Sequence, residues 1–197
     1  ANHQFGKFID KNYAKWFLPN VDAPTMSHNL FKDKVVPHIS NAQPTLFVVI
    51  DNLRYDQWKV LEPIITNHYK VEKESAYFSI LPTATQYARN SIFSGLMPSD
   101  MERMHPNLWL NDTEDGGKNQ YEAEFLEAQL KRLGLSHLKH EYHKITNLKS
   151  GKKLVESFKS KKDNDLTVVV YNFVDMLSHS KTEMEVIKEL ASNDKAY

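Results

Sequence analysis

The sequence predicts an α/β fold: a mainly parallel, doubly wound sheet with helices on both faces. Two apolar runs, 46–50 (Leu-Phe-Val-Val-Ile) and 166–173 (Leu-Thr-Val-Val-Val-Tyr-Asn-Phe), lack the polar alternation of a half-exposed strand. They read as strands covered on both faces, as in a parallel sheet. Helix-compatible segments alternate with strand-like ones along most of the chain, which is the pattern of βα units. Both apolar runs also lead into an acid, Asp51 and Asp175. Ligands of open α/β sheets sit outside the carboxyl ends of the strands, so both acids are expected at one functional edge.

The elements follow in order. Residues 1–44 form an aromatic-rich lead-in (Phe5, Phe8, Tyr13, Trp16, Phe17) broken by Pro19, Pro24 and Pro37. Short helices at 5–17 and 27–36 fit it, with Ser27 as N-cap, and the main domain is expected over 45–197. The first strand ends at Ile50, and a helix over 55–65 is broken or bent near Pro63. Strands are expected at 69–73 and 77–80. A helix begins beside Thr85 and ends near Gly95, a natural left-handed stop. Residues 97–120, with Pro98, Pro106, Asn111 and Gly116-Gly117, read as a long loop. An amphipathic helix over 122–133 carries Phe125, Leu126, Leu130 and Leu133 on one face and stops at Gly134. A strand at 141–145 precedes a helix at 152–159 that buries Leu154, Val155 and Phe158. A charged turn leads into the second apolar strand, and Thr182-x-x-Glu185 caps a last helix.

Composition narrows the function. The 197 residues suffice for one α/β domain with a sizeable core and leave room for a small appendage. Formal net charge is zero, so no electrostatic footprint points to duplex nucleic acid or an anionic membrane. Cysteine is absent, which excludes disulfides and thiolate metal sites and suits a reducing compartment. No apolar run is long enough to span a bilayer and no signal-peptide core is seen, so a cytoplasmic location is expected.

Four residues stand out chemically. Asp51, at a strand tip, can bind a metal, bind a ribose or cap the next helix. Thr85 opens a helix, whose N-terminus would favour an alkoxide; the bland alternative is that Thr83 or Thr85 is the helix cap. Asp175 and His179 are spaced Asp-x-x-x-His, which on a helix places a carboxylate and an imidazole on one face, ordinary ligands for zinc and plausible ones for manganese. His137, His140 and His143 fit neither a helix face nor strand alternation and read as solvated. The sequence has no P-loop, dinucleotide fingerprint, His-Glu-x-x-His or Gly-x-Ser-x-Gly elbow.

Three stretches resemble the opening of the alkaline phosphatase superfamily: Val49-Ile50-Asp51-Asn52-Leu53-Arg54, Leu81-Pro82-Thr83-Ala84-Thr85-Gln86 and Ser94-Gly95-Leu96-Met97-Pro98. Asn172-Phe173-Val174-Asp175 through His179 is similar to the superfamily's later metal motif. The nearest resemblance, over about residues 20–197, is to the PglZ domain, particularly the C-terminal domain of PorX-type response regulators of Bacteroidota. It implies an alkaline-phosphatase-like sheet and a two-metal phosphodiesterase or phosphatase, with Thr85 as nucleophile. Asp51 and Thr85 would share one metal, Asp175 and His179 would ligate the second, and Asn107 would steady a phosphoryl oxygen. Two zinc ions are implied, with manganese as the alternative. The later Asp-His pair and further His of the superfamily have no counterpart after His179, so a domain incomplete at its C-terminus is expected, with little turnover. Implied partners are a phosphate-ester substrate, nucleotide-type esters included, an upstream receiver domain and a cognate histidine kinase, in a type IX secretion setting. Oligomeric state is left open, a homodimer among the options. Two other classes remain: a protein-interaction or dimerisation module with little catalysis, and a related phosphomonoesterase, sulfatase or phosphoglycerate mutase. The lack of cysteine and the Thr at the turn count against a sulfatase.

Overall fold

The computed structural model describes residues 1–39, 43–111, 117–158, 163–172 and 175. The chain divides into two compact units, each made of two segments: Ala1–Pro37 with Ser75–Gly134, and His38–Glu74 with Leu135–Tyr197.

The second unit holds the sheet. Strands β1 (Thr45–Ile50), β2 (His140–Ile145) and β3 (Leu166–Tyr171) are all parallel, in the order β1-β3-β2. Val48 pairs with Val169 and His143 pairs with the same residue from the other side. Central β3 is buried from Leu166 to Val170, as its uninterrupted apolar run requires. β1 departs from the expectation: Leu46 and Val48 are 43% and 42% exposed. It is an outer strand of the described sheet, and its side chains alternate between faces, so one row stays open. Helix α3 (Tyr55–Ile65) follows β1 and continues through Pro63 rather than breaking there. The stretch at 69–73 is not a strand. Lys59 Nζ bridges Glu62 and Glu74 at 2.9 and 2.8 Å, and the Tyr55 hydroxyl donates to Glu74, which ties residue 74 to α3.

Helix α7 (Leu148–Ser157) joins β2 to β3, begins four residues before its expected start and has Asn147 as a true N-cap, its Oδ1 accepting from Ser150 N–H. Leu154 packs with Ile145, Val169 and Tyr171, but Val155 is 70% exposed and Phe158 is exposed too. Of the three residues expected to be buried, Leu154 alone is; the inward face is shared with Gly151, which lies against Ile145.

The first unit is helical. α1 (Asn2–Asn12) and a 3₁₀ turn (Tyr13–Phe17) bring Phe5, Phe8 and Trp16 around Phe78, with Trp16 and Phe78 ring centres 4.8 Å apart. α2 (Ser27–Leu30) runs into a π turn (Phe31–Val35). Its N-cap is Met26, not Ser27. The Ser27 hydroxyl instead accepts from Ile80 N–H, and Phe78 N–H donates to Thr25. The expected strand at 77–80 is thereby reduced to one parallel bridge, Met26 to Phe78, because the partner segment turns helical at the next residue.

Three more helices complete this unit: α4 (Thr85–Ser94), α5 (Pro98–Met104) and α6 (Glu122–Arg132). α5 lies inside the stretch read as loop. Pro98 is its first residue, where a missing N–H costs no hydrogen bond, so a proline expected in a loop is a helix start. Gly95 ends α4 at φ +64°, and Gln129 of α6 lies against the side where a Cβ would project.

Gly95→Ala should therefore lower stability by about 2 kcal/mol or more, since the left-handed backbone and the buried Gln129 both oppose a methyl group; urea denaturation reads this. His28 and His105 are both held below the usual imidazole pKa, each chiefly by burial, with Arg132 adding to the effect at His105 and Asp33 opposing it at His28. The unfolded chain therefore binds more protons as pH falls through about 6.5, so stability present above that pH should decline below it. His105→Leu should flatten that slope in thermal melts run between about pH 5 and 8.

Candidate active site

Thr85 is the first residue of α4, preceded by Ala84 at the N-cap position, whose side chain makes no capping bond. Neither Thr83 nor Thr85 caps the helix. Thr85 is exposed, and among the described residues its hydroxyl enters no hydrogen bond. The Thr85 main chain, by contrast, is held from the protein side: its carbonyl accepts from Asn119 Nδ2 at 3.1 Å. A free hydroxyl on a fixed backbone at a helix N-terminus is the arrangement a nucleophile needs, because the terminal peptide dipoles favour developing negative charge.

The support beneath Thr85 is polar and buried. Arg89, one turn on, forms an ion pair with Glu122 through Nε and Oε1, with a second contact from the guanidinium to Oε2 at 3.4 Å. Their side chains are 7% and 1% exposed. Asn119 Nδ2 also lies 3.2 Å from Asn90 Oδ1 and 3.4 Å from Glu122 Oε1, and Asn90 Nδ2 donates to the Lys118 carbonyl. Further along α4, Gln129 Nε2 donates to the Ile92 and Phe93 carbonyls, and Arg132 donates to that of Ser94. Sequence reasoning passed over this network. The available signal was Glu122, an acid in line with Phe125, Leu126, Gln129 and Leu130 on a face otherwise destined for the core.

Asn107 belongs to the same unit as Thr85 and is exposed in the turn after α5. Gln86 Nε2 donates to the Leu110 carbonyl at 3.3 Å, and the Trp109 ring lies 5.8 Å from that of Tyr87. These bonds hold the segment after Asn107 against the first turn of α4.

Asp51 and Asp175 belong to the other unit, past the carboxyl ends of adjacent parallel strands. Asp51 N–H donates to Tyr171 O at 3.0 Å, and Asn172 N–H donates to Ile145 O at 2.9 Å, which extends the ladder one step beyond each strand. Asn52 then takes φ +60°, a left-handed turn that Asn tolerates well, so the chain leaves the sheet directly after the carboxylate. Asp51 and Asp175 are each half-buried. His179 lies outside the described residues, as does the Thr182/Glu185 capping pair. Among the described residues no group of three or more His, Asp or Glu is gathered that could hold a metal ion. The two carboxylates fit a divalent cation in kind, as members of a shell rather than a whole one. His140 and His143 occupy β2 at odd spacing and so lie on opposite sheet faces, while His143 Nε2 pairs with Glu141 at 2.9 Å.

Removing Glu122 alone strands a buried guanidinium. Glu122→Gln should cost about 3–5 kcal/mol, and the double replacement Arg89→Met with Glu122→Leu should recover much of it; chemical denaturation of the three variants beside wild type tests this.

No curated protein sequence matches the chain. A family model described as the BREX system PglZ alkaline phosphatase-like domain matches residues 30–196, which takes in β1, the Thr85 turn, the Arg89–Glu122 pair and β3. No helix among the described residues is long and apolar enough to cross a membrane. With most of its length covered by that match, and an α/β structure carrying a parallel sheet, this chain belongs to the PglZ family of alkaline phosphatase-like domains.

Proposed function

We propose that the chain is a metal-dependent phosphoric ester hydrolase of the phosphodiesterase type, with Thr85 as its nucleophile. The observation that carries this is the state of Thr85: first residue of α4, exposed, and not spent on capping the helix. Asp51 with Thr85, and Asp175 with His179, would hold two divalent ions, zinc in preference to manganese. Bound there, such ions would polarise the phosphoryl oxygens and lower the pKa of the hydroxyl. Thr85 Oγ1 loses its proton to solvent and attacks phosphorus as the bond to the leaving oxygen breaks, and that oxygen takes up a proton from water. The helix N-terminus stabilises the alkoxide in the same step. Asn107 donates its amide to a phosphoryl oxygen. Water then cleaves the Thr85–phosphate ester and restores the hydroxyl. The remaining strands and helices of a doubly wound sheet, and a domain running over 45–197 after a lead-in at 1–44, belong to the same proposal.

The finer biological assignment rests on the resemblance at 49–54 and 81–98: an output domain of a PorX-type response regulator, cytoplasmic, coupled to a receiver domain and a histidine kinase. The exposed Phe5, Phe8, Phe17 and Leu18 favour a second reading, an interaction or dimerisation module with little catalysis. A stable complex or dimer that is indifferent to Thr85→Ala would support it.

Two carboxylates and one imidazole leave the shell short of the ligands a tight site draws on, so turnover by the 197 residues should be slow. Whatever hydrolysis of an aryl phosphodiester occurs with added Zn²⁺ or Mn²⁺ should vanish with chelator and in Thr85→Ala, while metal binding by Thr85→Ala is only weakened. Unchanged metal-dependent hydrolysis by Thr85→Ala would remove Thr85 from the reaction.

A further inference from the structure

We propose that Asn119 is a positioning residue for Thr85, acting through the main chain of the first turn of α4; this rests on the nucleophile reading above. Two features of the geometry point to it. First, Asn119 reaches the Thr85 carbonyl from outside α4, its Nδ2 donating at 3.1 Å. Within the helix that carbonyl accepts from Arg89 N–H by the ordinary i to i+4 rule, so Asn119 occupies its second lone pair. Second, Asn119 is itself fixed. Its amide lies 3.2 Å from Asn90 Oδ1 and 3.4 Å from Glu122 Oε1, and it is buried.

A helix N-terminus normally frays, because its first residues lack the bonds that hold the interior. Here the turn that presents the hydroxyl is anchored at one end by Arg89, paired to Glu122, and at the other by Asn119 on the carbonyl of the reacting residue itself. The side chain of Thr85 stays outside this network and exposed. The main chain beneath it is thus immobilised while its oxygen remains available, which is what a pre-set nucleophile requires. Gln129 makes a useful contrast. It also links α6 to α4 through two buried bonds, but at Ile92 and Phe93, two turns away.

The test needs no turnover. In wild type the Thr85 side chain should occupy one rotamer by NMR couplings. In Asn119→Ala, and in the shape-retaining Asn119→Leu, those couplings should average. Exchange at the Ala88 and Arg89 amides should quicken roughly three- to tenfold, the scale of one lost hydrogen bond. Gln129→Ala, which weakens the same helix packing, should leave both readouts at wild-type values. Unchanged Thr85 couplings and exchange in both Asn119 variants would overturn the proposal, and so would an equal response in Gln129→Ala, which would reduce Asn119 to ordinary helix docking. Failure of the nucleophile reading appears separately, as hydrolysis that survives Thr85→Ala.

Discussion

The buried ion pair between Arg89 and Glu122 is the constraint on which the helical unit depends. Two opposite charges removed from water are tolerated only when they meet each other and have their remaining bonds supplied nearby. Asn119, itself held by Asn90, supplies one to Glu122 here. The consequence is directional. A purely apolar seam between α4 and α6 could slide by a turn at modest cost, whereas a charge pair flanked by amides has one register. With register set, Phe93 of α4 and Phe125 and Leu126 of α6 are fully buried, Gly95 comes up against Gln129, and Thr85 is presented at the helix start.

The sheet unit is organised differently. Hydrogen bonding in β3 runs to both neighbours and extends one residue past each strand, at Asp51 and at Asn172. The last residue before the chain turns away from β1 is therefore still part of the ladder, and the Asp51 carboxylate inherits its rigidity. A carboxylate on a free loop would lose several rotatable bonds' worth of entropy on binding a cation; one at a strand tip has lost most of it already.

Much of this was legible from residues alone, for identifiable reasons. β3 and α6 have clean patterns, an apolar run and a stripe at 3.6-residue spacing, and burial follows pattern. Gly95 was legible because the left-handed region admits few other residues. The misses share a cause as well. Tyr69 and Val71 alternate like a strand, but alternation does not supply a partner, and their segment is held along α3 by Lys59 and Tyr55. Pro98 carries two opposite meanings, breaker and first helical residue, that only its neighbours decide. Of the candidate site, the chemical residues were legible from motif, and the Asn119, Arg89 and Glu122 scaffold was not. Arg89 lies 33 residues from Glu122, and the members announce themselves only as polar groups in buried positions.

The Tyr13 hydroxyl accepts from Leu81 N–H across 68 positions of sequence, and this long closure shows how the chain is threaded. Each compact unit draws on two stretches with part of the other between them. During synthesis the leading aromatic helix must wait for residues near 80, and then for α6 near 130, before its own unit can close. Such non-local pairing raises contact order and slows folding. It also leaves Phe5, Phe8 and Trp16 without their Phe78 partner while the nascent chain emerges, a window in which a chaperone would find its best foothold.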